Sequence, residues 1–360
     1  MGTGSGGSRR VPSLDGLRAV SITAVIVSHV VFEYRRMHDQ LFVRLLSNLG
    51  PLGVSVFFGI SGFIITTLLI QEKDATGRID LGAFYIRRVF RILPPFYVYL
   101  GVVALIGPRF PLAHFRNALL FVTNYTESNW WLGHSWSLSV EEQFYLLWPF
   151  TVVVSGSRST RIATWLILLA PAFRIASHIL RPDISLNFMF HTRFDSLMVG
   201  CVLALERNAW RTNGVWRFLG DGRVASLSVA FLVFVSPLLT ERLHGLYQFP
   251  IGMSLEALSV GSIILWSIEH ANSGVGLVLN HSWIRHLGVV SYSLYLWQEP
   301  FFSTELVGTW VGRFPLNCLV PLGLAELSYR VIERPTMRLR DVVLHRYAER
   351  QRDREPSVAR

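Results

Sequence analysis

Ten predominantly apolar stretches, each near the roughly 20 residues that one membrane crossing requires, recur along the 360 residues of this chain. They lie near 14–32, 50–70, 92–107, 136–154, 161–179, 194–206, 224–240, 250–268, 284–306 and 314–332. The expected fold class is therefore all-α: a polytopic integral membrane helix bundle of about ten transmembrane helices. Charge scarcity points the same way, because only 16% of residues are charged against the ~25% usual in soluble domains. Mean hydropathy is +0.38. These values exclude a disordered chain, a disulfide-stapled miniprotein and an ordinary cytosolic enzyme. The run 112–123 contains His114, Arg116 and Asn117, which favour an interfacial helix over an eleventh span.

Basic residues orient the bundle, since cytoplasmic loops carry the excess of Lys and Arg. With the N-terminus inside, inner segments hold 22 of the 34 basic residues, outer segments hold 9, and Arg18, Arg174 and Arg330 fall within spans. Both termini are expected to be cytoplasmic. The net charge of +10 follows from this topology, and no nucleic-acid partner is expected. Residues 1–12, rich in Gly and Ser, read as a flexible lead, 13–334 as one transmembrane unit, and 335–360 as a basic cytoplasmic tail. In that tail, apolar Met337, Leu339 and Val342 alternate with Arg338, Arg340 and Arg346, a pattern that suits either an amphipathic helix on the inner leaflet or a solvated charged segment. Cys201 and Cys318 sit alone in apolar runs, so neither a disulfide framework nor a metal site is expected.

A charge inside a bilayer is costly, so each ionisable residue within a span is a candidate functional site. The first span carries Asp15, Arg18 and His29. At 100° per residue, Arg18 and His29 fall within ~20° of each other and ~16 Å apart along the axis, and Asp15 lies ~40° off the same stripe. A lone buried histidine is commonly a satisfied core residue. Aligned with an acid and an arginine on an apolar span, it becomes equally a candidate proton acceptor, because imidazole titrates near neutral pH.

The inner segment Phe84-Tyr-Ile-Arg-Arg-Val-Phe-Arg-Ile-Leu-Pro-Pro95 brings Arg88 and Arg91 onto one helical face, with Arg87 beside them. Any one of them suits positive-inside anchoring. Together, three guanidinium forks also suit a phosphate-bearing ligand. A third stretch, His134-Ser-Trp-Ser-Leu-Ser-Val-Glu-Glu-Gln-Phe-Tyr145, places Glu141 and Glu142 in a span. Glu141 and Tyr145 are four apart, so a carboxylate–phenol hydrogen bond and a polar bundle lining are both open. Asp195 beside Arg193 reads as a structural ion pair, and Glu333 with Arg334 as a second. Glu256, Glu299 and Glu326 are further acids within spans.

At these residues the sequence resembles the membrane-bound acyltransferase 3 family. Ser13-Leu-Asp-Gly-Leu-Arg-Ala19 with Ser28-His29 resembles its first-span signature, and Gly53 to Thr66 its second span. The arginine segment, Trp136 to Tyr145, Arg193-Phe-Asp-Ser-Leu197, Ser291-Tyr-Ser-Leu-Tyr-Leu-Trp297 and Ser328-Tyr-Arg-Val-Ile-Glu-Arg-Pro335 follow in the family's order. The resemblance implies transfer of an acyl group, usually acetyl, from cytoplasmic acyl-CoA to an acceptor hydroxyl, commonly on a surface, exported or lipid-linked glycan. It implies a bacterial cytoplasmic membrane, acyl-CoA as donor substrate and no tightly bound cofactor. By position it makes His29 the catalytic histidine, Arg18 its motif partner with Asp15 beside it, and Arg88 and Arg91, flanked by Arg87, the donor-handling arginines. Glu141, Glu142, Arg193, Asp195 and Glu333 match further motif positions.

The chain departs from the family at Trp297-Gln-Glu-Pro300, where many relatives have Trp-His-x-Pro, so a second histidine is not required here. Some relatives also carry an esterase-like extracytoplasmic domain, for which 360 residues are expected to leave no room. Rival classes are a secondary transporter or flippase, a non-catalytic membrane scaffold, and an acyltransferase acting on a small lipophilic natural product such as a macrolide.

Overall fold

A computed structural model describes residues 12–35, 40–181, 185–306 and 308–354, so most of the lead 1–12 lies outside the described residues. Within them every regular element is helical. The chain begins with α1 (Pro12–Arg35), the short α2 (Leu41–Ser47), α3 (Leu49–Thr76), α4 (Leu81–Ile106), α5 (Leu112–Leu119) and α6 (Trp130–Gly133). Next come α7 (Ser135–Ser155), α8 (Ser159–Leu180), α9 (Phe190–Leu205), α10 (Gly214–Leu219), α11 (Gly222–Ala230), α12 (Ser236–Leu243) and the one-turn α13 (Gly245–Tyr247). The chain ends with α14 (Met253–Glu269), α15 (Gly274–Leu279), α16 (Ser282–Val289), α17 (Ser291–Gln298), α18 (Leu316–Ser328) and α19 (Arg334–Arg354). Wide π turns at 231–235, 248–252 and 329–333 join α11 to α12, α13 to α14 and α18 to α19.

Six helical stretches among the described residues are long and apolar enough to cross a membrane. One of them, Trp130–Leu180, is 51 residues long and turns at Gly156, whose φ is +54°. Its two arms, α7 and α8, are 21 and 22 residues, about what one crossing needs. The α5 segment has eight residues, or ~12 Å at 1.5 Å per residue, too short to cross. The span expected at 284–306 is broken into α16, α17 and a 3₁₀ turn at Glu299–Phe302.

The core is built around α3, which packs most extensively on α9 and α1. In lipid, helices gain from close packing and not from apolar burial against solvent, so small residues mark their contacts. A Cβ on Gly62 would overlap the Leu197 carbonyl, and one on Gly200 would overlap the Gly59 carbonyl. Backbone therefore meets backbone where α3 crosses α9, and α9 is buried along nearly its whole length.

The arginines at 87, 88 and 91 lie in the same helix as the span expected at 92–107, so α4 carries both. Asp80 caps α4 by accepting from Ala83 N at 2.9 Å, and the helix runs straight through Pro94 and Pro95. Pro94 and Pro95 bring no N–H to the carbonyls of Phe90 and Arg91; one residue further on, the Ile92 carbonyl accepts from Tyr292 at 2.8 Å. After α18, α19 folds back onto α4, where Tyr347 donates to Asp80 at 3.2 Å.

Candidate active site

Three polar clusters inside the bundle gather most of the residues singled out by sequence. The first is a pocket where the N-terminal part of α1 meets α3, α4, α7 and α17, lined by Arg18, Arg88, Arg91, Ser61, Glu141, Tyr145, Tyr292 and Tyr295 among others. Three guanidinium groups face one carboxylate, so the pocket is formally cationic. Arg18 is steadied by Asp15 at 3.6 Å. Arg88 lies against the rings of Phe84 and Tyr145 at 5.7 and 5.8 Å, and its buried Nε has no protein partner. Glu141 accepts from Ser61 at 2.5 Å. The phenol of Tyr145 donates to the same Ser61 Oγ at 3.4 Å, so the two motif residues meet through a serine. A cationic, tyrosine-lined recess of this kind suits an anion with hydrogen-bonding arms.

Arg87 does not join this pocket. Its guanidinium pairs with Glu72 at 2.6 Å, across the turn that Gly77 makes at the end of α3, with φ at +76°. Glu142, about 100° round the helix from Glu141, has a buried Oε1 with no hydrogen-bond partner among the described residues. Glu333 is buried and accepts from Ser293, and Ser293 in turn lies 3.1 Å from Ser328. The ion pair expected between Glu333 and Arg334 is thus replaced by a serine contact across to α17.

The second cluster surrounds His29, eleven residues along α1 from Arg18. Its Nδ1 is 2.7 Å from Gln298 Oε1 and 3.9 Å from Glu299 Oε2. Glu299 Oε2 is also 3.8 Å from Nδ1 of His134, a buried imidazole with no hydrogen-bond partner on either nitrogen. Trp130 packs edge-on to His29 at 5.6 Å and donates its indole N–H to the Glu299 carbonyl at 2.9 Å. His29 keeps 19% of its side chain exposed, while Glu299 and His134 keep 8% and 2%, so His29 is the reachable member.

One side chain, Tyr295, touches both clusters. Tyr295 lines the first pocket, shares a 2.7 Å hydrogen bond with Ser137, donates to the His134 carbonyl at 3.1 Å and packs on the His134 ring at 5.5 Å.

The third cluster corrects the expected Arg193–Asp195 pair. Residues two apart on a helix point ~200° from one another and cannot face a common partner. Asp195 instead pairs with Arg174 of α8 and accepts from Ser254 at 2.8 Å. Arg193 donates to the Asn187 carbonyl at 2.7 Å and to Ser55 at 3.2 Å, and lies over Trp136 at 5.8 Å. All three ionic side chains are buried, and they join α8, α9 and α14 as a structural tie.

Sequence reasoning placed His29, Arg18, Arg88, Arg91 and Glu141 in or beside a site, and the fold sorts them into two neighbouring clusters. It did not single out Gln298, His134, Ser61 or Tyr295. Motif departure at Gln298 and the position of His134 at the head of the Trp-Ser-Leu-Ser motif were the available signals.

An acyltransferase domain family matches residues 11–325. The chain is 28% identical to the peptidoglycan O-acetyltransferase OatA of Listeria monocytogenes, over 90% of this chain and 55% of that protein. It is 28% identical to a putative peptidoglycan O-acetyltransferase, YrhL, of Bacillus subtilis over 91% of this chain and 55% of that protein. A putative O-acetyltransferase of Staphylococcus aureus gives 28% over 91% and 57%. The chain thus spans about half the length of the relatives it matches. No solved structure is significantly similar to it.

Proposed function

Because this chain belongs to the acyltransferase 3 family, we propose that it is a membrane O-acetyltransferase that moves acetyl from acyl-CoA to a hydroxyl of a surface glycan. Peptidoglycan is the first acceptor to test, since it is the one named in two of the relatives. The supporting observation is a three-arginine pocket and a reachable imidazole in one bundle, with Tyr295 touching the cluster of each. The 22-to-9 sorting of basic residues supports a layout of ten spans with both termini on the cytoplasmic side of a bacterial membrane.

In this reading acetyl-CoA enters from the cytoplasm, its phosphates held by Arg88 and Arg91 with Arg18 deeper in. The thioester then reaches past Tyr295 toward His29. The unprotonated imidazole nitrogen takes the proton of the acceptor hydroxyl as the oxygen attacks the thioester carbonyl. The carbon–sulfur bond breaks, the ester forms, and the imidazolium returns its proton to the CoA sulfur. An acyl-histidine intermediate is the rival path, and it would release CoA before acceptor binds.

The deciding experiment uses the purified full chain in lipid nanodiscs, with acetyl-CoA and soluble peptidoglycan fragments. Acceptor-dependent CoA release that His29→Ala abolishes, and an acetyl-CoA KM raised by the Arg88→Ala/Arg91→Ala pair, are expected. Undiminished transfer by His29→Ala would overturn the assignment of the base. Solute flux without CoA release would point to a transporter.

A further inference from the structure

The helix break after α17 sets two consecutive side chains around one imidazole. Gln298 is fully buried, and its amide has one usable orientation. The Glu299 carboxylate can only accept, so Gln298 Nε2 faces it, at 3.1 Å. Gln298 Oε1 is thereby turned to His29 Nδ1 at 2.7 Å. An amide oxygen has no proton to give, so the hydrogen lies on Nδ1 and the lone pair on Nε2. Glu299 is itself fixed by the Trp130 indole on its carbonyl. At 3.9 Å its carboxylate is too far from His29 for a direct hydrogen bond but near enough to act by charge.

We propose that Gln298 and Glu299 are positioning residues, a carboxylate–amide–imidazole chain that holds His29 in the tautomer whose Nε2 takes the acceptor's proton. The inference rests on His29 being the base. No proton crosses the amide: it moves from hydroxyl to Nε2 and on to the CoA sulfur. The charge that develops on the ring is met by the amide dipole, which Glu299 aligns. Gln298 stands where many relatives have histidine, so this arrangement is a property of this chain's Trp297-Gln-Glu-Pro300 sequence.

The electrostatic surroundings are simple. Among the described residues Glu299 is the one carboxylate within 4 Å of His29. His134 approaches through Glu299 from the junction of α6 and α7, and Trp130 and Phe302 offer rings. On α2, which also packs on α1, Arg44 lies 3.9 Å from Glu241. The other helices against α1, namely α3, α14, α15, α16 and α17, bring no ion pair to His29 among the described residues.

The test is the pH dependence of kcat/KM for acetyl transfer to peptidoglycan fragments by the full chain in nanodiscs. Glu299→Gln removes the charge that favours imidazolium and should move the acidic limb down by about half a unit to one unit. Gln298→Glu places a carboxylate on Nδ1 and should move the limb up by about one unit. Gln298→Ala should lower kcat roughly tenfold or more while the KM for acetyl-CoA stays within about twofold, because donor contacts lie in the other cluster. Should the alanine variant fail to fold, the two near-isosteric variants decide. Limbs of Glu299→Gln and Gln298→Glu that both superimpose on the parent's, with His29→Ala inactive, would overturn the chain and leave the base in place. An active His29→Ala would overturn both.

Discussion

Replacing Asp195 by alanine should be among the most destabilising single changes in this protein. Asp195 and Arg174 are both 0% exposed, and Arg174 is held by the Thr192 carbonyl at 2.8 Å and Ser254 at 3.0 Å. Removing the carboxylate leaves a guanidinium charge with only neutral acceptors, far from water. Breaking a buried pair from one side typically costs 3–5 kcal/mol, because the surviving charge keeps its desolvation penalty. With unfolding entropy near 2.1 cal/mol/K per residue, that corresponds to a midpoint lower by about 4–7 °C for a chain of this length. Thermal unfolding in nanodiscs, followed by loss of monodisperse protein, measures it. A double-mutant cycle of Asp195→Ala with Arg174→Met should give a coupling on the order of 2–3 kcal/mol, and one with Arg193→Met about 0.5 kcal/mol or less. The opposite ranking would refute the pairing and restore Arg193 as the partner.

Three further outcomes follow from the packing. Gly200→Val should prevent stable assembly, costing more than ~2 kcal/mol, because its branches would meet the Gly59 carbonyl and Phe63 amide; detergent-resistant monodisperse protein at parental yield would contradict this. Arg87→Ala should change the acetyl-CoA KM less than about threefold, because Arg87 pairs with Glu72 outside the arginine pocket, whereas Arg88→Ala should raise it about tenfold or more through lost charge-assisted hydrogen bonds. Tyr347→Phe should loosen α19 from α4 by no more than ~1 kcal/mol, seen as faster proteolysis within 334–354 with unchanged cleavage elsewhere.

The amino-acid order alone carried the helical, membrane-spanning character and the family, because both depend on local features: apolar length, i to i+3 spacing and short ordered motifs. It also contained the reason Arg193 and Asp195 cannot pair, since two residues of helix turn a side chain to the opposite face. The start of the span near 92 was not a helix start, because α4 begins at Leu81 and continues through Pro94 and Pro95. At 112–123 the polar residues favoured an interfacial helix over a span, and α5 is one short helix there.

Partner choice was beyond the sequence. His29 and Gln298 are 269 positions apart, Ser61 and Glu141 80 apart, and Arg174 and Asp195 21 apart on separate helices. Helical period says which face a side chain takes but not which helix that face will meet. That is settled by where glycines let backbones touch and where buried polar groups find acceptors, so only the tertiary structure separated the arginine pocket from the histidine cluster and set Tyr295 in contact with both.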